Sequence, residues 1–358
     1  MKTRFSNRSL LPWACSLLCT LPCIGELALA DHPQRDVLVL TSTNDPSGNQ
    51  VIVFKLETQG TPALSLMTAL PTGGKGGASG NAGILQFDDD LGAVANYGSN
   101  TVSPLSRHGD SIDIDSPIKL APGCQNPDSV ALSKGDVFVV GQTCAESHAL
   151  RSGGLVGSVV HLNDPSAAQI AVGKSWGAVT FTSGSLLQLG LAPDGGLSGG
   201  SASVTLPNDA NNTPLGAAFW NNILGFTPAH SPDSFAIVDS ARNVFPVTGP
   251  TPPYPTNAPC WVAKGPGNVW YTGNTPAKAI SIFFSDDRGG VFYKSVPLPG
   301  SPTDITVSPD KEWLAVIYAA AGGGYVAVFK IDHYGNLTAV ATSEPTGIAA
   351  FNGVAFSE

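Results

Sequence analysis

Seven short segments of this chain share one pattern, a small or polar pair followed by mostly apolar residues. Six read Gly83-Ile-Leu-Gln-Phe87, Ser129-Val-Ala-Leu-Ser133, Gln169-Ile-Ala-Val172, Gly216-Ala-Ala-Phe219, Trp261-Val-Ala-Lys264 and Asp304-Ile-Thr-Val-Ser308. The seventh is Phe351-Asn-Gly-Val-Ala-Phe-Ser-Glu358. Counted from the head of each, near 82, 128, 168, 215, 260, 303 and 352, the spacings are 46, 40, 47, 45, 43 and 49 residues. A strand-rich unit repeated at this interval is the signature of propeller blades. Each of the first six copies runs at once into a tight turn and a second apolar strand. The seventh has no such partner after it, whereas Asp36-Val-Leu-Val-Leu-Thr41 is a second strand without a first. The expectation is an all-β, seven-bladed β-propeller whose C-terminal strand supplies the inner strand of blade one.

Composition agrees with many short strands and turns. Only 13% of residues are charged, while glycine (41) and proline (29) are abundant. Pro127, Pro214, Pro259 and Pro302 each introduce an inner strand, where a missing N–H costs no ladder bond. Residues 1–30 read as a signal peptide. Lys2, Arg4 and Arg8 precede an apolar stretch from Leu10 to Ile24, and Ala28-Leu29-Ala30 is a small-x-small cleavage pattern. The domain expected to fold is 31–358, exported to a secreted or periplasmic location. Cleavage would take the formal charge from −9 to −11. So acidic a chain argues against nucleic acid or an anionic membrane as partner, and the expected state is a monomer.

Cys124 and Cys144 flank the first hairpin of blade three. With Lys134-Gly135 as its two-residue turn, position 125 falls opposite 144, so Cys124 is one residue off register, within reach across a bulge. A disulfide there would contribute roughly 3 kcal/mol; two separate buried thiols are the alternative. Cys260 reads as a small buried hydrophobe. Thr143 to Gly157 reads as an enlarged loop or a poor third strand. In a meander the connections from strand two to three, and from strand four to the next blade, share one face. The elaborate segments Gly73–Gly80, Cys144–Gly157, Gly249–Pro259 and Ala319–Gly324 are assigned to it. Long loops gathered on one face are either a binding surface or tolerated insertions.

The repeat from Pro302 to Ile317, followed by Val326-Ala-Val-Phe-Lys-Ile331, resembles a blade of the lactonase-like seven-bladed propellers. This is the family of bacterial 6-phosphogluconolactonases and fungal carboxymuconate-lactonizing enzymes. Thr43 to Phe54, Thr72 to Gly77 and Ala258 to Val262 are similar to its exported branch. The resemblance spans 36–358 and implies lactone hydrolysis, for which characterised members carry cationic groups over the channel mouth. The pairs heading the inner strands here are Ala82-Gly83, Asp128-Ser129, Ala168-Gln169, Leu215-Gly216, Cys260-Trp261, Thr303-Asp304 and Asn352-Gly353. None of these fourteen residues is Arg, Lys or His, so a neutral or weakly acidic lactone is expected and not a phosphorylated one.

Asp128 and Asp304 remain as candidate catalytic carboxylates, with Trp261 and Asn352 as binding neighbours. The alternative is that both aspartates cap strand ends. His148 and Arg151, beside Glu146, form the tight charged cluster of the elaborate segments and are further binding candidates. Asp110, Asp113 and Asp115 lack the glycine and closing glutamate of a calcium loop, and the glycines of 73–80 lead into a strand and not a helix. No metal or other cofactor is expected. Two functions remain open: hydrolysis of a small-molecule lactone, or a non-catalytic propeller binding a protein or glycan through its loop-rich face. The tryptophans follow no periodic docking pattern, which disfavours a quinoprotein.

Overall fold

The structure, a computed structural model, describes residues 36–208, 210–230, 235–247, 258–286, 288–348 and 351–358. The expected signal peptide lies outside them, as does most of the 249–259 loop. The strands form seven antiparallel sheets. From the centre outward, blade one is built of Asn352–Ser357, Val37–Ser42, Gln50–Glu57 and Ala63–Pro71, so the C-terminal strand does close the ring. The inner strands of blades two to seven are Leu85–Asp88, Pro127–Ser133, Ala167–Val172, Pro214–Trp220, Pro259–Lys264 and Ser301–Val307. Each packs against the inner strands of both neighbours, and Asn352–Ser357 sits between those of blades two and seven.

Period-two alternation explains why the blades stack. Side chains of a strand point alternately to its two faces, and every blade has a neighbour on each face. Leu38 and Leu40 pack with Ala93 and Ala95 of blade two, whereas Val39 packs with Ala315 and Ile317 of blade seven. Second strands, covered on both faces, are therefore mostly apolar, as in Trp176–Phe181, where every residue, Thr180 included, is buried.

The small-or-polar pairs have a common structural cause. In six blades the register between first and second strands slips at the head of the inner strand. The unpaired residues are Gly353, Asp128, Ala168, Leu215 with Gly216, Cys260 and Thr303, all members of those pairs. Each is a β-bulge, which bends the strand where the chain enters the ring. The turns that follow the inner strands are tight: Lys134 and Gly135 have φ of 54° and 85°, and Asn221 has φ of 56°.

Blade three departs from expectation. Cys144–Ala149 is a complete third strand paired with Asp136–Gly141, followed by a two-residue fourth strand, Val160–His161. The slip at Asp128 lets the Cys124–Cys144 disulfide form, with Cα atoms 5.4 Å apart. The excursion 150–159 therefore joins strands three and four. It lies beside the hairpin turn, since Leu150 N–H donates to Gly135 O at 3.0 Å. His148 and Arg151 consequently sit toward the short-turn face, opposite the loop-rich one where they were expected. The cause is that a strand carrying Cys144, Glu146 and His148 does not look apolar in sequence, although all three are buried.

Candidate functional site

The glycine-rich run from Gly73 is a strap stitched to its neighbours. Asn49 N–H donates to Gly74 O, Gly76 N–H to Asp45 O, Gly77 N–H to Asn44 O and Gly98 N–H to Lys75 O. Glycine is required where backbones touch: a Cβ on Gly76 would lie 2.2 Å from the Asn44 carbonyl carbon. The strap delivers Asn81, Ala82 and Gly83 across the heads of the inner strands. Asn81 Nδ2 donates to Asp128 O at 2.5 Å in blade three, and Asn81 Oδ1 accepts from Asn352 Nδ2 at 3.0 Å in blade one. Trp261 Nε1 of blade six donates to Asn81 O at 3.4 Å, and Ala82 N–H donates to Ala168 O of blade four at 3.2 Å. One segment thus ties blades one, three, four and six together and covers the loop-rich end of the channel.

Beneath this cover lies a cavity of about 220 Å³, lined by the inner strands of blades two to seven. Burial falls from head to tail along the inner strands of blades two to five; Pro214–Trp220 goes from buried at its head to half-buried at its last three residues. The cavity therefore opens toward the short-turn face. Its polar groups include Asp304, Gln86, Gln169 and, at the tail end, Lys264. Asp304 is 5% exposed, and its Oδ1 accepts from Ile305 N–H at 2.8 Å. Burial pushes its carboxyl up to about 7, even though the N–H groups of Ile305, Gly83 and Val354 favour the ionised form. Gln169 Oε1 accepts from Ala217 N–H at 2.6 Å, which leaves the Gln169 Nε2 hydrogens toward the channel.

Gly83 is where these groups converge. Its φ is +66°, and a Cβ there would lie 2.8 Å from Gln169 Nε2 and 3.2 Å from both Gln86 Nε2 and Ser129 Oγ. In one cavity, a carboxyl group pushed up to about 7 can exchange a proton, and two carboxamides can donate hydrogen bonds to a developing oxyanion. Lys264 does a different job. Its Nζ donates to the carbonyls of Gly265, Gly267 and Val269 and lies over the Trp220 and Trp270 rings. Burial lowers its ammonium to about 8, with the Lys311 charge adding to the effect.

No family model matches the chain, and no curated protein matches it either. Solved structures do. A protein from Lactobacillus plantarum superposes with a TM-score of 0.68 at 13% identity, over 90% of this chain and all of that one. A protein from Bacteroides fragilis described as a candidate 6-phosphogluconolactonase gives 0.64 at 12%, over 91% of this chain and 99% of the other. A streptogramin B lyase gives 0.59 at 17%, over 78% and 87%. At these identities what is shared is the fold. It is the seven-bladed propeller.

The residues singled out from sequence are scattered by that fold. Asp128, at its bulge, is 5% exposed and its carboxyl is pushed up to about 7 by burial, but it does not line the cavity. Trp261 is buried against Asn81, and Asn352 is half-buried on the other side of it. His148 has both ring nitrogens against oxygens, Nδ1 3.1 Å from Gly153 O and Nε2 3.0 Å from Glu146 Oε1. Burial pulls its pKa down, but the Glu146 and Gly153 hydrogen bonds outweigh that and raise it. Arg151 is exposed in the excursion. Asn81 and Gln86 were missed. Gln86 carries a legible signal, an amide in an otherwise apolar inner strand; Asn81 has none, because its partners lie 47, 180 and 271 residues away.

Proposed function

We propose that the chain is an exported, lactonase-like propeller that hydrolyses a small neutral or weakly acidic lactone inside its channel, admitted from the short-turn face. One observation carries this reading: Asp304, its carboxyl pushed up to about 7 by burial, lines the same cavity as the carboxamides of Gln86 and Gln169. In the reaction a water attacks the lactone carbonyl and Asp304 carboxylate takes its proton. Gln86 and Gln169 Nε2 donate to the oxyanion. As the ring C–O bond breaks, the proton on Asp304 passes to the leaving alkoxide, which restores the carboxylate. Lactone chemistry is also attributed to a solved neighbour of this fold, the Bacteroides fragilis protein. Export is supported by the leader-like residues 1–30 and by the disulfide.

The second reading, a non-catalytic propeller binding a protein or glycan, draws on a different observation. Asn81, Asn352 and the Asp128 carbonyl are all engaged in holding the covered end together. Among the described residues that end is spanned by the Asn81–Gly83 segment. The role of Asp128 as catalytic base is the weaker part of the first reading, since only Asp304 borders the cavity. A panel of small lactones tests the choice. Turnover lost at least a hundredfold in Asp304→Asn, and kept in Asp128→Asn, is the expected result. Turnover that survived Asp304→Asn would remove the base, and no turnover on any lactone would leave the binding reading.

A further inference from the structure

Blade three holds a cluster used by neither the channel nor the covered face. Cys144, Glu146 and His148 alternate along one strand and so share one face of it. Cys124 joins them through the disulfide. Glu146 Oε2 lies 3.9 Å from Cys144 Sγ, and a Glu146 oxygen and both sulfurs lie within 4.8 Å of one another. All four side chains are buried. Both Glu146 oxygens accept from Ala121 N–H, at 3.1 and 3.0 Å, and Oε1 also meets His148, while the joined sulfurs have no proton to donate to Oε2. Beside two free thiols the same group completes a ligand set.

We propose that the reduced form of this cluster is a zinc-class metal site, with Cys124, Cys144 and Glu146 as ligands and water in a fourth position. A dithiol reduces the disulfide, closing to its own disulfide as two electrons and two protons pass to the cysteine sulfurs. The incoming dication then displaces both thiol protons. Zinc takes sulfur at about 2.3 Å and carboxylate oxygen at about 2.0–2.2 Å in a tetrahedron, which places two sulfurs about 3.8 Å apart. Cα atoms 5.4 Å apart accommodate that separation by side-chain rotation. His148 stays on Glu146 and orients it, a positioning residue and not a ligand.

The test uses the full chain with Cys15, Cys19, Cys23 and Cys260 changed to Ser, so that Cys124 and Cys144 are the only thiols. Co²⁺ is added to the oxidised protein and to protein reduced with a dithiol that is then removed. The expected result is a thiolate-to-cobalt charge-transfer band at one ion per chain in the reduced protein alone, displaced by Zn²⁺. In Glu146→Gln the affinity should fall at least tenfold, and in His148→Gln by a smaller factor with the band retained. No band in reduced protein, a band of equal strength in denaturant, or an unchanged affinity in Glu146→Gln would overturn the proposal. So would a reduced protein that is unfolded and is not refolded by Zn²⁺.

Discussion

The two ends of the channel are made from the same seven inner strands and end differently. At the heads, six of the seven strands are bulged and the Asn81–Gly83 segment ties four of those heads together. At the tails the strands of blades two, three and five run straight into two-residue turns, and the bonds described there join neighbouring blades, as Lys174 N–H to Asn221 O does for blades four and five. The head end is closed by hydrogen bonds between residues remote in sequence, while the tail end is left open by the brevity of local turns. Loop length alone therefore misidentifies the accessible end, because the longest strap became a cover. A polar cavity closed at one end gives a carboxyl group poor solvation without excluding a small ligand from the other.

Removing the last eight residues should have the largest effect on this contrast. Phe351, Val354 and Phe356 are buried, each stabilising by about 1.5–3 kcal/mol, and the inner strand of blade one goes with them. The expected outcome is loss of the single cooperative unfolding transition in a calorimetric scan. A truncated chain that melts like the full one would contradict ring closure.

Changes to the cover come next. Gly83→Ala places a Cβ against Gln169 and Gln86 at a φ of +66° and should cost roughly 2 kcal/mol or more in chemical denaturation. Asn81→Ala leaves the Asp128 carbonyl and the Asn352 amide without their partner and should cost about 1–3 kcal/mol. It should also speed exchange of the amide hydrogens at the strand heads without altering those at the tails. Equal acceleration at both ends would mean that the cover does not act locally.

The pH dependence of stability is a subtler probe. Asp304 has a folded value of about 7, above that of an unfolded aspartate. The folded chain therefore holds the extra proton between about pH 4 and 7. This contribution is full below about 4 and is lost by about 1.4 kcal/mol per pH unit as pH rises to 7. Asp304→Asn should remove that slope from denaturation measured in steps over this range. His148, also raised, adds stability that is full below its unfolded value near 6.5 and is lost as pH climbs through its folded value. His148→Gln should flatten the profile above pH 6.5 only. Arg151→Ala, at an exposed position, should change stability by no more than about 0.5 kcal/mol.

The ring was legible because its strands are local and periodic. The prolines at 127, 214, 259 and 302, the Lys134-Gly135 and Asn221-Asn222 turns and the Cys124–Cys144 pair all follow from residues near one another in the chain. The third strand of blade three was obscured because Glu146 and His148 meet each other in a buried pair, a fact about contacts that hydropathy does not carry. Asn81 was invisible for a related reason. An asparagine in a glycine-rich stretch is a commonplace loop residue until three distant blades are placed around it.

The titration of Asp304 tests most directly whether a polar cavity closed at one end holds a carboxyl group ready for proton transfer. Carbon-13 carboxyl resonances followed with pH, and assigned by comparison with Asp304→Asn, would report it. A midpoint near 7 that moves when a lactone enters from the short-turn face is the predicted result. A midpoint below about 4, indifferent to lactone, would show an ordinary hydrated aspartate and contradict the account.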